Sequence, residues 1–408
     1  MQTRMGLKLL NNQKGMALIL AITSVLMISF IAMEVSYDSL VEYNVNINSL
    51  NRLKAYYAAR SGIELSLLRI KTFQQAKSQF GKQLGGQTEM LDQIWRFPFA
   101  WPVPIPGGLS AVDKDSIKGS LKDSIMDASY VVTIEDEGSK LDIGDLVSPS
   151  KALQESTRRR LLEIFQGKLK SDEEFQRKYG NYRFEELINA ITDWQSKTRT
   201  SVSGGNKRQG YSDYPENYPP NRGFRTIQEL RLVPGMTEDF YEILEPSITI
   251  YGMKAINPNQ ASKEVLKSLD PEITDEIASA IIKRRDTPNE GGPFKNKEEF
   301  WSFITGKGAR LGEKTEQTPL VFDKVVNFRI KSTGEYAGVS REITVIVMDL
   351  QNAATAVKGY MDQEKKEAAG GAGAAPGGGA GKPAENQAQG QTPALPKGPP
   401  RIVYWGER

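Results

Sequence analysis

The sequence of 408 residues contains neither cysteine nor histidine. Without cysteine, the chain forms no disulfide framework and offers no thiolate as nucleophile or metal ligand. Without histidine, it lacks the commonest general base, the usual zinc ligand and every catalytic triad built on an imidazole. Carboxylate or lysine chemistry remains open, but these two absences predict a protein that is not an enzyme.

An excess of charge of one sign is also missing. The chain has 53 Lys and Arg against 50 Asp and Glu, a formal net charge of +3, with both signs mixed along the sequence. Such a chain lacks the polybasic surface through which proteins bind nucleic acid phosphates. Its length is sufficient for two or three domains with substantial cores.

Charge and proline are both absent from residues 16–33. At about 1.5 Å per residue, a helix of this length spans about 27 Å, enough to cross a bilayer core. Met16, Leu20 and Met33 therefore belong to a predicted membrane helix. Three basic residues and no acid precede it, which predicts a cytoplasmic N-terminus.

Three interpretations compete for this apolar stretch. A secretory signal peptide requires small residues at a cleavage site after the apolar core, and the residues around Met33-Glu34 form a poor one. A plain transmembrane anchor fits the length. A prepilin-type signal fits as well, because a basic leader ends at Gly15 and a peptidase would cut before Met16. The residues alone leave the last two interpretations open.

The helix is predicted to continue beyond the membrane segment. Residues 34–70 contain no proline and a single glycine. Apolar or small residues recur there at steps of three or four, as on one face of an amphipathic helix: Leu50, Leu53, Tyr57, Ser61, Leu65 and Leu68. A single helix over 16–72 would be about 85 Å long.

The remaining pattern predicts an α+β fold with an antiparallel sheet. Residues 131–134 and 141–143, separated by a Glu137-Gly138 turn, predict one hairpin. A second hairpin is predicted where apolar residues alternate at Val326, Phe328 and Ile330 and again at 343–347. Residues 151–320 have helical periodicity instead, which predicts an all-helical domain inserted between the strands.

Within this predicted insert, residues 224–249 and 256–300 resemble helix-hairpin-helix or sterile-alpha-motif-like units. Hairpins of that kind often hold DNA phosphates with backbone N–H groups from a glycine-rich turn. The turn at 270–276 contains no glycine, one proline and four carboxylates, which repel phosphate. The sequence therefore predicts no nucleic acid partner.

The C-terminal region changes composition twice. Residues 352–400 are mostly Ala, Gly, Pro, Gln and Lys, which predicts a flexible tether without a core. Residues 401–408 include the β-branched and aromatic run Arg401-Ile402-Val403-Tyr404-Trp405. This run predicts a strand that returns to the sheet edge. The alternative is a disordered tail that adheres to other surfaces non-specifically.

Seven short motifs follow one another along the chain. They occupy residues 14–18 (KGMAL), 57–64 (YAARSGIE), 136–141 (DEGSKL), 191–194 (ITDW), 229–236 (ELRLVPGM), 256–259 (INPN) and 404–405 (YW). Their order resembles that of the K-type minor pseudopilins of type II secretion systems, also called the general secretion pathway protein K family.

This resemblance implies a pseudopilin-type domain organisation. The segments are a prepilin leader peptide 1–15, a transmembrane and stalk helix 16–72, the α/β domain in two parts 73–150 and 321–351, the inserted helical domain 151–320, the tether 352–400 and the C-terminal strand 401–408. The resemblance also implies cleavage by a prepilin peptidase between Gly15 and Met16, followed by methylation of Met16. The mature protein would be a single-pass inner membrane protein with its globular part in the periplasm.

The implied function is that of a minor pseudopilin at the tip of the pseudopilus, which helps initiate its assembly and the export of folded periplasmic proteins. Cleavage after Gly15 would place Leu20 at the fifth mature position, where most pilins carry glutamate and the K-type family does not. The implied partners are the I-type and J-type minor pseudopilins and then the major pseudopilin. The alternatives are a minor pilin of a type IV pilus or a membrane-anchored helix-hairpin-helix DNA-binding protein.

The resemblance further implies bound calcium near the loop that follows Asp193-Trp194. This predicted loop, residues 195–223, is long and polar, a length that is often functional. Relatives are rich in acids directly after the motif, whereas this chain has Gln195-Ser196-Lys197. Asp213 and Glu216 are the remaining nearby oxygen donors and are the predicted metal ligands.

Overall fold

The computed structural model of the chain describes residues 13–80, 89–103, 119, 126–312, 315, 318–322, 327–348, 350–370 and 401–408. The helices are α1 Gln13–Phe80, α2 Glu89–Arg96, α3 Lys151–Ser171, α4 Glu173–Tyr179, α5 Phe184–Gln195, α6 Glu238–Leu244, α7 Lys263–Lys267, α8 Asp275–Asp286, α9 Lys297–Gly306 and α10 Leu350–Gly370. The strands are β1 Phe99–Trp101, β2 Ser129–Asp136, β3 Leu141–Asp142, β4 Ile248–Thr249, β5 Phe328–Tyr336, β6 Val339–Met348 and β7 Arg401–Glu407.

Helix α1 is continuous over 68 residues, which corresponds to about 102 Å. It confirms the predicted single helix, beginning a little earlier and ending a little later than expected. Its second half packs on the sheet through Ala55, Ala58, Ala59, Ile63 and Ile70, all of which are buried. The globular part of the protein therefore lies at the end of α1 remote from the apolar segment.

In the part of the chain that the structure describes, five antiparallel strands form the main sheet, in the order β1-β2-β5-β6-β7. Alternate residues of β2, such as Val132 and Ile134, point to α1 and are buried, whereas Val131 is exposed. Phe328, Ile330, Val345 and other apolar residues of β5 and β6 complete this core. The alternation is that of a sheet covered by one helix.

Helix α1 and the sheet approach each other most closely at two glycines. A Cβ atom at Gly62 of α1 would overlap the side chains of Val132 and Ser332 on the sheet. A Cβ atom at Gly334 of β5 would overlap the backbone of α1 at Ala55 and Ala59. The small residues of the motif at 57–64 therefore permit this contact between helix and strand.

The second predicted hairpin is confirmed and the first is wrong. Strands β5 and β6 pair in antiparallel register around a turn at Ala337 and Gly338, with Val326 outside the described ranges. Strand β3 does not return along β2 but pairs in parallel with β4. The reason is that β1 and β5 already occupy the two edges of β2, so no position remains beside it.

The helices from α3 to α9 lie between β2 and β5, as predicted for an inserted domain. They form two cores, one around Phe165, Phe184 and Phe240 and the other around Phe294 and Phe300. The insert is not purely helical, because it also contains β4, which pairs with β3 just before the insert.

The predicted tether begins too early, because residues 350–370 form α10 rather than a flexible segment. Good helix formers dominate this stretch, and the Gly/Pro-rich composition starts only after it. The Glu364 side chain accepts hydrogen bonds from Ser150 Oγ at 2.6 Å and from Ala152 N at 2.9 Å, and so caps α3. The rest of the predicted tether, 371–400, and residues 1–12 of the predicted leader lie outside the described residues.

Strand β7 confirms the predicted return of the chain end to the sheet. It pairs in antiparallel register with β6, with Trp405 opposite Val345 and Tyr404 opposite Ile346. The Tyr404 ring also lies near that of Tyr251 in the inserted domain, with centroids 6.3 Å apart. The strand therefore extends the sheet by one edge and touches the insert.

Candidate assembly helix and cation loop

Within the described ranges, the apolar segment of α1 is not covered by the globular part. Met16, Leu20 and Met33 are 66%, 64% and 73% exposed, and the other large apolar residues between them are similarly exposed. Among the described residues, α1 is the one helix that is long and apolar enough to span a membrane. Gly15 and Met16, the predicted processing residues, lie in its first turn.

A second apolar surface on α1 lies beyond the membrane segment. Leu50, Leu53, Tyr57 and Leu68 are each about half exposed. At 100° per residue, they lie on the side of the helix opposite Ala55, Ala59 and the other residues that pack on the sheet. We call these four residues the outer stripe. It is accessible to a partner helix.

The inserted domain is joined to the sheet by a buried ion pair. The fully buried Glu137 carboxylate accepts two hydrogen bonds from the Arg329 guanidinium, each 2.7 Å long, and a third from Thr249 Oγ1 at 2.5 Å. Burial alone would raise the pKa of Glu137, but these bonds and the charges of Lys140 and Arg329 outweigh it and hold the pKa below its usual range. The pair therefore connects β5 to the β4 end of the insert.

The residues that flank this junction are also acidic and buried. Asp136 accepts a hydrogen bond from Gly138 N at 2.8 Å, and burial raises its pKa to about 7. Lys254 Nζ lies 2.5 Å from Asp142 Oδ2 and 2.8 Å from Asp145 Oδ1. The motif at 136–141 and the residues after it thus build the connection between the two parts of the protein.

The predicted loop 195–223 is held at its base by aromatic stacking. The Trp194 ring stacks on Phe224, with an angle of 4° between the planes and 5.4 Å between the centroids. Gly204 and Gly205 have φ values of 89° and 81°, which favour glycine, and they reverse the chain so that Thr200 pairs with Asn206. This turn directs the following residue, Lys207, into the interior.

The Lys207 side chain crosses the base of the loop and is 5% exposed. Its ammonium group donates to the backbone oxygens of Asp193 and Ser196, each at 2.8 Å, and to Asn221 Oδ1 at 3.3 Å. These three acceptors match its three N–H donors. Burial lowers the pKa of Lys207, and the nearby Asp193 carboxylate opposes that effect.

The adjacent Arg208 holds the outer part of the same loop. Its guanidinium donates to the carbonyl oxygens of Tyr211 at 2.5 Å, Tyr214 at 2.7 Å and Tyr218 at 3.2 Å. These carbonyls belong to the segment that contains Asp213 and Glu216. Sequence reasoning missed Lys207 and Arg208, although two cations directly after a Gly-Gly-Asn turn in a polar loop were a usable signal.

The predicted calcium ligands do not fit a calcium ion. Asp213 and Glu216 are both exposed, and Asp213 Oδ1 accepts a hydrogen bond from Ser212 Oγ at 3.4 Å. A calcium site requires six to eight oxygen ligands. In the part of the chain that the structure describes, no group of three or more Asp or Glu side chains is placed to hold a metal.

The turn that resembles a DNA-binding hairpin connects α7 to α8. Asp270, which is buried, accepts hydrogen bonds from Glu272 N at 2.9 Å and Thr315 Oγ1 at 2.5 Å. Lys267 forms an ion pair with Asp275 at 2.7 Å, and Glu272 and Glu276 are exposed. The turn therefore presents carboxylates rather than free N–H groups, which disfavours phosphate binding.

Two family profiles, both described as type II secretion system (T2SS), protein K, match the sequence. They cover residues 139–253 and 256–323, consecutive ranges that together span the inserted domain. Over residues 139–323 the chain belongs to the protein K family of type II secretion systems. The resemblance found in the sequence is thereby confirmed.

Among solved structures, the chain is similar to one in the crystal structure of the GspK-GspI-GspJ complex from the enterotoxigenic Escherichia coli type 2 secretion system. The identity is 17%, the match covers 55% of this chain and 76% of that chain, and the TM-score is 0.43. No curated protein sequence matches the chain.

Proposed function

We propose that this member of the protein K family is a minor pseudopilin at the tip of the pseudopilus, where it helps initiate assembly and the export of folded periplasmic proteins. The observation that carries the proposal is the division of α1. Its first half is apolar and exposed, its second half packs on the sheet, and the globular mass lies at the far end.

The absence of a carboxylate in the apolar segment supports a tip position. The first acid of the chain is Glu34, and Leu20 occupies the fifth position after the predicted cleavage site. A carboxylate inside a membrane is costly unless a partner neutralises it. A subunit with no neighbour above it has no such partner, so an apolar residue at this position is the favourable choice.

The outer stripe supports assembly with other helices. Leaving apolar surface exposed to water costs about 25 cal/mol per Å². Helix packing against the outer stripe would remove this cost. The similar solved structure is a complex that also contains GspI and GspJ. We therefore propose I-type and J-type minor pseudopilins as the partners of this chain, with the major pseudopilin added below them.

The proposal includes a location and a maturation step. A prepilin peptidase would remove residues 1–15, Met16 would become the methylated N-terminus, and the rest of α1 would anchor the protein in the inner membrane. The globular part would then lie in the periplasm. The basic residues before Gly15 support this orientation.

Co-purification tests this function. The tagged full-length chain, solubilised from membranes that contain the I-type, J-type and major subunits, should retain the two minor subunits in equal amounts and little of the major one. Recovery of the major subunit alone, or of no pseudopilin, would contradict the proposed place at the tip.

A further inference from the structure

We infer that the side chains of Lys207 and Arg208 take the place of a bound metal ion in the loop 195–223, so that this chain folds without calcium. The inference concerns the loop alone and does not depend on the proposed place at the tip. It rests on the geometry of the two cations and on the misfit of the predicted ligands.

The base of the loop is cross-linked by Lys207. Its ammonium joins the end of α5, through Asp193 and Ser196, to Asn221 at the other end of the loop. A metal ion bound by backbone and amide oxygens would connect the same segments. Here the ammonium group of Lys207, which is part of the chain itself, makes this connection. No ion therefore has to bind from solution.

The outer part of the loop is cross-linked by Arg208. Its guanidinium gathers the three carbonyl oxygens of Tyr211, Tyr214 and Tyr218, which surround the positions of Asp213 and Glu216 in the sequence. These three oxygens are of the kind that calcium takes as backbone ligands in proteins. They already accept strong hydrogen bonds from a charged donor.

Electrostatics favours the same conclusion. The two acids of the loop segment, Asp213 and Glu216, are exposed to solvent, whereas Lys207 is buried and Arg208 is partly buried. A calcium ion among the oxygens of this loop would lie close to two positive charges and would be repelled by both. It would also have to displace the hydrogen bonds of Lys207. Their loss would leave a buried ammonium group without acceptors.

Thermal unfolding of the full-length chain in detergent, followed by circular dichroism, tests the inference. Wild type should unfold at the same midpoint, within about 1 °C, in a chelator and in millimolar calcium. Lys207→Met should lower the midpoint by roughly 4–10 °C in either solution, because a buried charged hydrogen-bond network is lost. Lys197→Met is the matched control, since it removes an exposed lysine of the same loop and should leave the midpoint unchanged.

Calorimetric titration of the wild-type chain with calcium chloride provides a second measurement that does not need the variant to fold. It should show no saturable heat, and Asp213→Ala and Glu216→Ala should behave as wild type does. The inference is overturned if the chelator lowers the wild-type midpoint by several degrees and calcium restores it. A saturable calcium site in wild type, or a Lys207→Met midpoint equal to that of wild type, would overturn it as well.

Discussion

At the scale of single residues, the connection between sheet and insert depends on a few buried charges. Glu137 and Arg329 are 192 positions apart in sequence, yet their side chains form an ion pair with two hydrogen bonds. Sequence analysis could single out the motif around Glu137, but it could not identify its partner, because a pairing over this distance follows no local periodicity. Each charge of the pair is compensated by the other. Removing one charge therefore leaves the other buried without a counter-charge.

We predict that Glu137→Gln lowers the free energy of unfolding by about 3–5 kcal/mol, because Arg329 loses its compensating charge in the interior. Chemical denaturation of the full-length chain in detergent measures this change. Glu185→Gln, at an exposed position of α5, is the control and should change stability by less than about 0.5 kcal/mol. Equal effects of the two substitutions would contradict the structural role of the pair.

Asp136 makes a separate prediction about pH. Burial raises its pKa from the ordinary 3.8 to about 7, with Glu137, Asp92 and Arg96 as its charged neighbours. Between these two values the folded chain holds a proton that the unfolded chain has released. Stability is therefore highest below the unfolded pKa and falls as the pH rises through the folded pKa.

We expect Asp136→Asn to reduce this loss of stability between about pH 4 and pH 7, since an amide does not titrate. Unfolding midpoints of variant and wild type, measured across that range, should diverge as the pH rises. Some slope should remain in the variant, because burial and the Asp142 charge also raise the pKa of Asp145 to about 7. Parallel curves at all pH values would show that Asp136 does not titrate as described.

At the scale of elements, the helices and strands with a regular apolar period were predictable from the sequence. The pairings between segments that are distant in sequence were not. Helix α1, the β5–β6 hairpin and strand β7 follow from repeats of 3.6 or two residues along the chain. The β3–β4 pair was missed because each strand has two residues and its partner lies about a hundred positions away. The sheet-facing side of α1 was missed because alanine and glycine carry a weak hydrophobic signal.

The close contact at Gly62 predicts that Gly62→Ala destabilises the protein by about 1–3 kcal/mol through overpacking against β2 and β5. Gly167→Ala is the matched control, because Gly167 is also within a helix but a Cβ atom there would meet nothing within 4 Å. It should instead stabilise by about 0.5–1 kcal/mol. Chemical denaturation distinguishes the two signs, and stabilisation by both substitutions would contradict the packing of α1.

The first turn of α1 predicts a processing site. Intact-mass analysis of the membrane form should show a chain that begins at Met16 and carries one added methyl group. Gly15→Val should block the cleavage and leave the full-length chain, whereas a valine at the nearby exposed Ala17 should not. Finding only the uncut wild-type chain in the membrane would rule out a prepilin leader.

At the scale of the whole molecule, α1 carries a membrane-length apolar segment at one end and the globular part at the other, over about 102 Å. The order of these parts was predictable from composition and periodicity. The position of α10 against α3 was not, because a composition rich in Ala, Gln and Lys indicates a solvated segment as readily as a helix. The hydrogen bonds that Glu364 accepts from Ser150 and Ala152 decide in favour of the helix.

The central claim is that the outer stripe meets two minor pseudopilin helices, and disulfide crosslinking in the membrane tests it most directly. The chain has no native cysteine, so single cysteines at Asn46, Leu53 and Arg60 report without background. All three positions are exposed and lie on the side of α1 opposite the sheet. Cysteines at Asn48, on the other side of the helix, and at Gln176, on the inserted domain, are the controls.

The account predicts crosslinks from all three positions to I-type and J-type subunits that carry cysteines in their own helices, and few or none from the two controls. Such a result would show a helical periodicity that matches the outer stripe. Crosslinks only to the major pseudopilin or to a second copy of this chain would contradict the tip complex. Equal crosslinking at Asn46 and Asn48 would contradict the assignment of the stripe as its interface.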